Sequence, residues 1–217
     1  MCEGVRVGSL ILVEGLIGAG KTTFCDLLAE RKGYRVMYEP VKENPYLEKF
    51  YGDPKRWALE MQFYLMSHRF KQHQEAVEHI WRTGQSVLMD RSIYGDKVFC
   101  YLNYQSGNID EEGYRSYCHM RDAMFKFVMV PQLTFYLHVK PEKCLQRIQS
   151  RGRDCEKAIP VDYLQGLDAE YAKLMDELKD RGSKVVAVDW NEFQAIETIC
   201  DRYAGVLPKN FDNYPKL

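Results

Sequence analysis

The chain has 217 residues, a formal net charge of −1 and 46% apolar residues, which fits one domain with a sizeable core and no broad basic surface for nucleic acid. Its cysteines, Cys2, Cys25, Cys100, Cys118, Cys144, Cys155 and Cys200, include no C-x-x-C pair, which argues against a disulfide scaffold or a zinc site and for free thiols in a reducing compartment. No stretch approaches the length of a membrane span and no basic-then-apolar leader opens the chain, so a soluble cytoplasmic enzyme without membrane or nucleic-acid partners is expected.

The first predicted strand is Leu10-Ile11-Leu12-Val13-Glu14. It runs into Gly15-Leu16-Ile17-Gly18-Ala19-Gly20-Lys21-Thr22, followed by Thr23 and a helical pattern. Gly15, four residues, then Gly20-Lys21-Thr22 is the full phosphate-loop spacing. Its glycines let successive N–H groups point at phosphate oxygens, and the helix N-terminus adds its dipole. In that motif Lys21 reaches the β- and γ-phosphates and the Thr22 hydroxyl holds Mg²⁺. The loop implies a nucleoside triphosphate but not what accepts the phosphoryl group.

A second strand is predicted over Val36 to Tyr38, with Glu39 at its carboxyl end and Pro40 stopping it. Ligands of open parallel sheets bind beyond these ends, so Glu39 is either a proton acceptor for an attacking hydroxyl or a solvated strand-end carboxylate. Asn44-Pro45 predicts the cap and first turn of a short helix, and Lys55 to Thr83 a long one ended by Gly84. Its apolar face is expected along Trp57, Met61, Tyr64, Leu65, His68, Gln72, Val77 and Ile80-Trp81. Gln62 and Arg69, two turns apart, have the chemistry to read a base edge, but on residue type alone surface positions are favoured.

Ser86 to Asp90 is the third predicted strand. It ends in Asp90-Arg91, where a carboxylate that organises magnesium is expected, the alternative being a capping aspartate. Arg91 can neutralise a transferring phosphoryl group. Asp96, five residues on, faces the same pocket or solvent. A helix capped by Asp110 and running to Val128 is expected to serve as core or as a partner-helix interface. The fourth strand covers Leu133 to Val139, and Pro141 opens the next helix.

Arg147, Arg151 and Arg153 then fall in one short segment whose charges repel unless anions lie between them. They read as a lid over the triphosphate, or else as a solvated helix end. A helix over Val161 to Arg181, a fifth strand over Lys184 to Asp189, a helix from Glu192 to Val206 and a polar tail complete the chain. The expected fold is α/β: a P-loop NTPase-like three-layer sandwich, with a five-stranded parallel sheet, helices on both faces and an arginine-rich lid at about 147–160, all in one domain over 1–217.

Taken together, Glu14 to Thr23, Glu39-Pro40-Val41, Asn44 to Tyr51, Arg56-Trp57 with Gln62 and Arg69, Asp90 to Asp96, Arg147 to Glu156 with Ile159-Pro160, and Asp189-Trp190-Asn191 resemble the deoxynucleoside kinase family, especially its bacterial deoxyadenosine and deoxyguanosine kinases. The resemblance covers nearly the whole chain. It implies transfer of the ATP γ-phosphoryl group to a deoxynucleoside 5′-hydroxyl, with Glu39 as base and Arg91 beside the reacting groups. It also implies Gln62, Arg69 and Asp96 as base readers, and Tyr51 and Glu156 on the sugar 3′-hydroxyl. Thr22 and Asp90 match the magnesium positions, although the family often has glutamate where this chain has Asp90. Arg147, Arg151 and Arg153 match the lid, with Arg147 and Phe193 near the donor adenine. The Arg69–Asp96 pair goes with purine or cytosine bases and leaves no room for a thymine methyl. The family further implies a homodimer and inhibition by the end-product triphosphate. A nucleoside monophosphate kinase is the nearest rival; Glu39 would repel its charged acceptor. A nucleotide-binding switch is the other, and it would leave Glu39 and the arginines idle.

Overall fold

A computed structural model describes residues 8–39, 44–153, 156 and 159–209. In chain order the elements are β1 (Leu10–Gly15), α1 (Lys21–Lys32), β2 (Arg35–Met37), α2 (Leu47–Gly52), α3 (Pro54–Thr83), β3 (Val87–Asp90) and α4 (Ile93–Gln105). Then come α5 (Glu111–Phe125), β4 (Leu133–His138), α6 (Pro141–Arg151), α7 (Val161–Asp180), β5 (Lys184–Asp189) and α8 (Ile196–Arg202). The strands form one parallel sheet in the order β2-β3-β1-β4-β5. Val13 pairs with Asp90 on one side of β1, and Gly15 with Leu137 on the other.

Burial follows that order. β1 and β3 are buried along their whole length and β4 for five of its six residues, while the edge strands β2 and β5 are half exposed. Continuous apolar runs in the middle are what helices on both faces require. Right-handed crossovers put α1 on one face, where it meets α8, and α3, α4 and α7 on the other, where they pack on one another. The chain therefore leaves β1, β2 and β3 at the same end of the sheet, next to the crevice where strand order reverses.

All five strands and the three-layer plan match expectation; several boundaries move. β2 ends at Met37, one residue early. Asn44 does not cap α2: its Oδ1 accepts from Tyr46 N at 2.9 Å, closing a turn, and the helix starts at Leu47. α5 stops at Phe125, and α8 covers only Ile196–Arg202 because residues 191–195 bend first. Cys25, Cys100, Cys118, Cys144 and Cys200 are free thiols, as expected. Among the described residues no helix is long and apolar enough to cross a membrane. Pro40, Val41, Glu43, Cys2, Asp154, Cys155 and the end of the tail lie outside the described residues.

The largest correction concerns α3. Asp53 caps it by accepting from Arg56 N, and Gly84 ends it in the left-handed conformation, both by the usual rules. Its buried face, however, is Ala58, Met61, Gln62, Met66, Arg69, His73, Ala76 and Ile80, whereas Trp81 is 55% exposed. The face is rotated by about one residue, roughly 100°, from the most apolar stripe. Small and polar residues face inward because α3 packs closely on α4 and walls the site with Gln62 and Arg69.

His73 on that face is fully buried, and its Nε2 accepts from Met129 N at 2.9 Å. Burial pushes its pKa down from 6.5 to about 4. The unfolded chain therefore binds the extra proton first, and stability present above pH 6.5 is lost as pH falls toward 4. We expect this histidine to account for about 2 kcal/mol of that loss. Urea unfolding at pH 7 and pH 4.5 checks it: His73→Gln, which keeps an acceptor for Met129, should reduce the pH dependence, and an unchanged dependence would overturn the assignment.

Candidate active site

The turn from β1 into α1 is built on glycine. Gly18 has φ 78, and a Cβ there would come within 2.6 Å of Cys144 O; Gly20 has φ 86 at the position preceding α1. Only glycine meets both demands. Lys21 opens α1 buried, its Nζ donating to Gly15 O at 3.2 Å and Leu16 O at 2.8 Å. Burial, then the charge of Arg91, lowers its pKa to about 8, although Asp90, Glu39 and Glu14 pull the other way. Thr22 Oγ1 donates to Asp90 Oδ2 at 2.6 Å, which ties α1 to the end of β3. One hydroxyl and one carboxylate oxygen fit Mg²⁺, which takes few protein oxygens and keeps water and phosphate as its other ligands. No larger His, Cys, Asp or Glu cluster suited to a metal occurs among the described residues.

Glu39 stands two residues beyond β2. Its Oε1 lies 2.5 Å from Arg69 Nη2 and its Oε2 3.0 Å from Arg91 Nε. Burial alone would raise its pKa, but Arg69 and Arg91 outweigh burial and hold it at about 2. Arg69 is itself buried between Glu39 and Asp96, and the two carboxylates keep it charged. Asp96 also accepts from Tyr117 OH at 2.7 Å. Beside this pair, Gln62 Oε1 and Arg69 Nε are buried with no hydrogen-bond partner among the described residues. Buried polar atoms are rarely left so, and an acceptor and a donor on residues lining one cleft are what a base edge would satisfy.

Arg91 has φ 71, the only positive value among the described non-glycine residues. A residue held there costs on the order of 1–3 kcal/mol, and such strain concentrates at functional sites. Its guanidinium lies over the Phe99 ring at 4.9 Å. On the far side, the arginines of the 147–153 segment are not mutually exposed. Arg147 donates to Ala19 O at 3.1 Å, Trp190 O at 2.9 Å and Asn191 O at 2.8 Å, and covers the Phe193 ring at 4.5 Å. Arg151 and Arg153 both pair with Glu156, Arg153 at 3.1 Å. Protein carbonyls and one carboxylate thus supply the compensation that bound anions were expected to give.

One cleft of about 640 Å³ joins these parts, from Gly18, Lys21 and Thr22 past Glu39 and Arg91 to Gln62 and Arg69. Residues 11–205 match the family description "Deoxynucleoside kinase". The chain belongs to the deoxynucleoside kinase family. The kinase is 42% identical to a deoxyguanosine kinase of Dictyostelium discoideum, over 88% of this chain and 67% of that one. It is 31% identical to a deoxyadenosine/deoxycytidine kinase of Bacillus subtilis, over 93% and 94%. A structure of deoxyadenosine kinase from M. mycoides with bound dCTP superposes with a TM-score of 0.79, at 27% identity, over 91% of this chain and 100% of that one. The kinase accordingly carries out ATP-dependent phosphorylation of a deoxynucleoside.

Most residues anticipated from sequence line the kinase's cleft: Ile17, Gly18, Gly20, Lys21, Thr22, Thr23, Glu39, Tyr51, Gln62, Arg69, Asp90, Arg91, Arg147, Arg151, Arg153, Glu156 and Phe193. Gly15, Leu16, Ala19 and Asp96 do not. Leu16, Ala19 and Asp96 are fully buried, and Asp96 sits behind Arg69 as its support. Gln62 and Arg69 are 1% and 3% exposed, which overturns the surface placement favoured on residue type. Phe99 and Tyr163 also line the cleft, and Tyr117 braces it through Asp96. None of the three carries a local sequence signal, because each is an aromatic residue on an amphipathic helix. Glu14 did carry one: a carboxylate inside an apolar strand.

Proposed function

We propose that the kinase transfers the ATP γ-phosphoryl group to the 5′-hydroxyl of a purine deoxynucleoside, deoxyadenosine or deoxyguanosine, accepts deoxycytidine and rejects thymidine. The observation that carries this reading is the buried Arg69–Asp96 pair, with the unpartnered Gln62 Oε1 and Arg69 Nε beside it. It fills the space a thymine methyl needs and offers an acceptor and a donor to a base edge. Similarity to deoxyguanosine and deoxyadenosine kinases of Dictyostelium discoideum supports the purines. The glycine loop acts as a P-loop for the triphosphate, and the 147–160 segment as its arginine-rich lid. ATP supplies the phosphoryl group; Thr22 and Asp90 would hold Mg²⁺, which would offset phosphate charge.

This chain's residues do the rest. Lys21 and Arg91 hold positive charge where the transferring group lies, while Arg151 and Arg153 move from Glu156 toward the phosphates. Arg147 and Phe193 border the donor adenine, and Tyr51 and Glu156 take the sugar 3′-hydroxyl. Glu39 accepts the 5′-hydroxyl proton. A carboxylate with pKa about 2 is a weak base. It suffices because phosphoryl transfer is loose, and the hydroxyl becomes acidic only as its bond to phosphorus forms.

The deciding experiment measures kcat/KM for the four deoxynucleosides and their monophosphates with ATP and Mg²⁺. Preference for a monophosphate or for thymidine would overturn the reading. Arg69→Met with Asp96→Ala should raise the thymidine-to-deoxyadenosine kcat/KM ratio by at least ~10-fold, and an unchanged ratio would remove the pair from base recognition. That variant also orphans the Tyr117 hydroxyl, at about 1–3 kcal/mol of stability. A homodimer is proposed too: Met120 and Phe127 leave large apolar surface exposed on and after α5, and a monomeric sedimentation coefficient would refute it.

A further inference from the structure

Behind Arg91 lies a chain of buried hydrogen bonds that the reaction as described does not use. Tyr171, in the middle of α7, is fully buried, and its hydroxyl accepts from Arg91 Nη1 at 2.8 Å. The same hydroxyl donates to Glu14 Oε2 at 3.3 Å. Glu14, the penultimate residue of β1, is fully buried, and its Oε1 accepts from Ser92 Oγ at 2.5 Å. Ser92 caps α4, accepting from Tyr94 N at 3.1 Å and Gly95 N at 3.3 Å. A Cβ on residue 95 would come within 2.7 Å of Glu14 Oε2, so glycine there makes room for the carboxylate.

A phenol has one proton. With that proton committed to Glu14, its lone pairs face Arg91, and the guanidinium has an acceptor of fixed direction. Arg91 needs one. Its backbone is in the left-handed region, its Nε is tied to Glu39 and the carbonyl that its Nη1 meets, Gly15 O, is 3.4 Å away.

We infer that Tyr171 is a positioning residue for phosphoryl transfer: held by Glu14, its hydroxyl fixes the Arg91 guanidinium in the orientation the reaction uses. The inference rests on the reading that Arg91 acts at the transferring group. It links α7, the helix that follows the arginine-bearing segment, to the reacting end of the cleft. Burial raises the Tyr171 pKa, so the phenol stays neutral and keeps the proton this arrangement requires.

Tyr171→Phe is the test. The ring keeps its contacts with Tyr136 at 5.9 Å and Phe99 at 6.3 Å; only the hydroxyl is lost. Steady-state and single-turnover assays with radiolabelled ATP should show kcat lowered about 10- to 100-fold, with KM for deoxynucleoside and ATP within about twofold. In an Arg91→Ala background the same substitution should change kcat by less than about twofold, because Tyr171 acts through Arg91. A wild-type kcat in Tyr171→Phe, or effects that multiply in the double variant, would overturn the inference. Should Tyr171→Phe not fold, Glu14→Gln carries the test. A kcat at least about fivefold down with KM held supports it, and a wild-type kcat refutes it. The parent reading fails differently: a wild-type enzyme that phosphorylates no deoxynucleoside, or an Arg91→Ala variant with wild-type kcat.

Discussion

Glu39→Gln should lower kcat about 10³-fold while the nucleoside dissociation constant moves by less than about fivefold. The amide keeps the shape of the side chain and can still accept from one arginine, so the cleft stays assembled, but it cannot take up a proton. Rapid-quench transfer rates and equilibrium titration with the nucleoside separate the two quantities. A near-normal rate would remove Glu39 from proton transfer. The pH profile adds an independent check. With its pKa held near 2, Glu39 is ionised throughout the neutral range, so it should produce no acid limb in the kcat profile above about pH 4. A limb near pH 6 would mean that bound substrate loosens the two arginines from the carboxylate.

Lys21→Met should have the second-largest effect, and its two halves have opposite signs. The lysine nitrogen is held beside the glycine loop by the carbonyls of Gly15 and Leu16, in reach of the phosphate charge it is proposed to meet. Its loss should lower kcat/KM for ATP about 10²–10³-fold. The same charge is costly without nucleotide. Its pKa, about 8 against 10.5 in the unfolded chain, means that the folded state binds fewer protons between those values, so stability rises with pH across that interval. Methionine removes the buried charge and should stabilise the nucleotide-free protein by about 2 kcal/mol. Thermal unfolding at pH 7 reads this directly, and a destabilised variant would refute the charge argument.

Much of this was legible in the sequence because punctuation and chemistry coincided. Gly15 to Thr22 announced a tight glycine turn between β1 and α1, and Gly84 marked the end of α3. The continuous apolar runs of β1, β3 and β4 announced a sheet buried on both sides. What was not legible followed from packing across the fold. Nothing local to α3 says that Gln62, Arg69 and His73 turn inward while Trp81 turns out; that depends on α4 and on a cleft needing polar walls. The partners of the arginine segment were hidden for a related reason. Sequence displays the repulsion of Arg147, Arg151 and Arg153, but not the carbonyls of Ala19, Trp190 and Asn191 or the folding-back of Glu156 that neutralise it.

The seating of Glu39 between two arginines bears on how fast a substrate can be taken up. A carboxylate has about four acceptor positions. Arg69 occupies one on Oε1 and Arg91 one on Oε2, so each oxygen retains spare valence. In the proposed role of Glu39, an arriving hydroxyl would join the carboxylate by addition, not exchange. Neither of these two ion pairs has to be surrendered first, so contact at Glu39 itself carries no activation barrier from side chains leaving one another. Docking at this carboxylate should therefore be limited by diffusion and desolvation of the nucleoside.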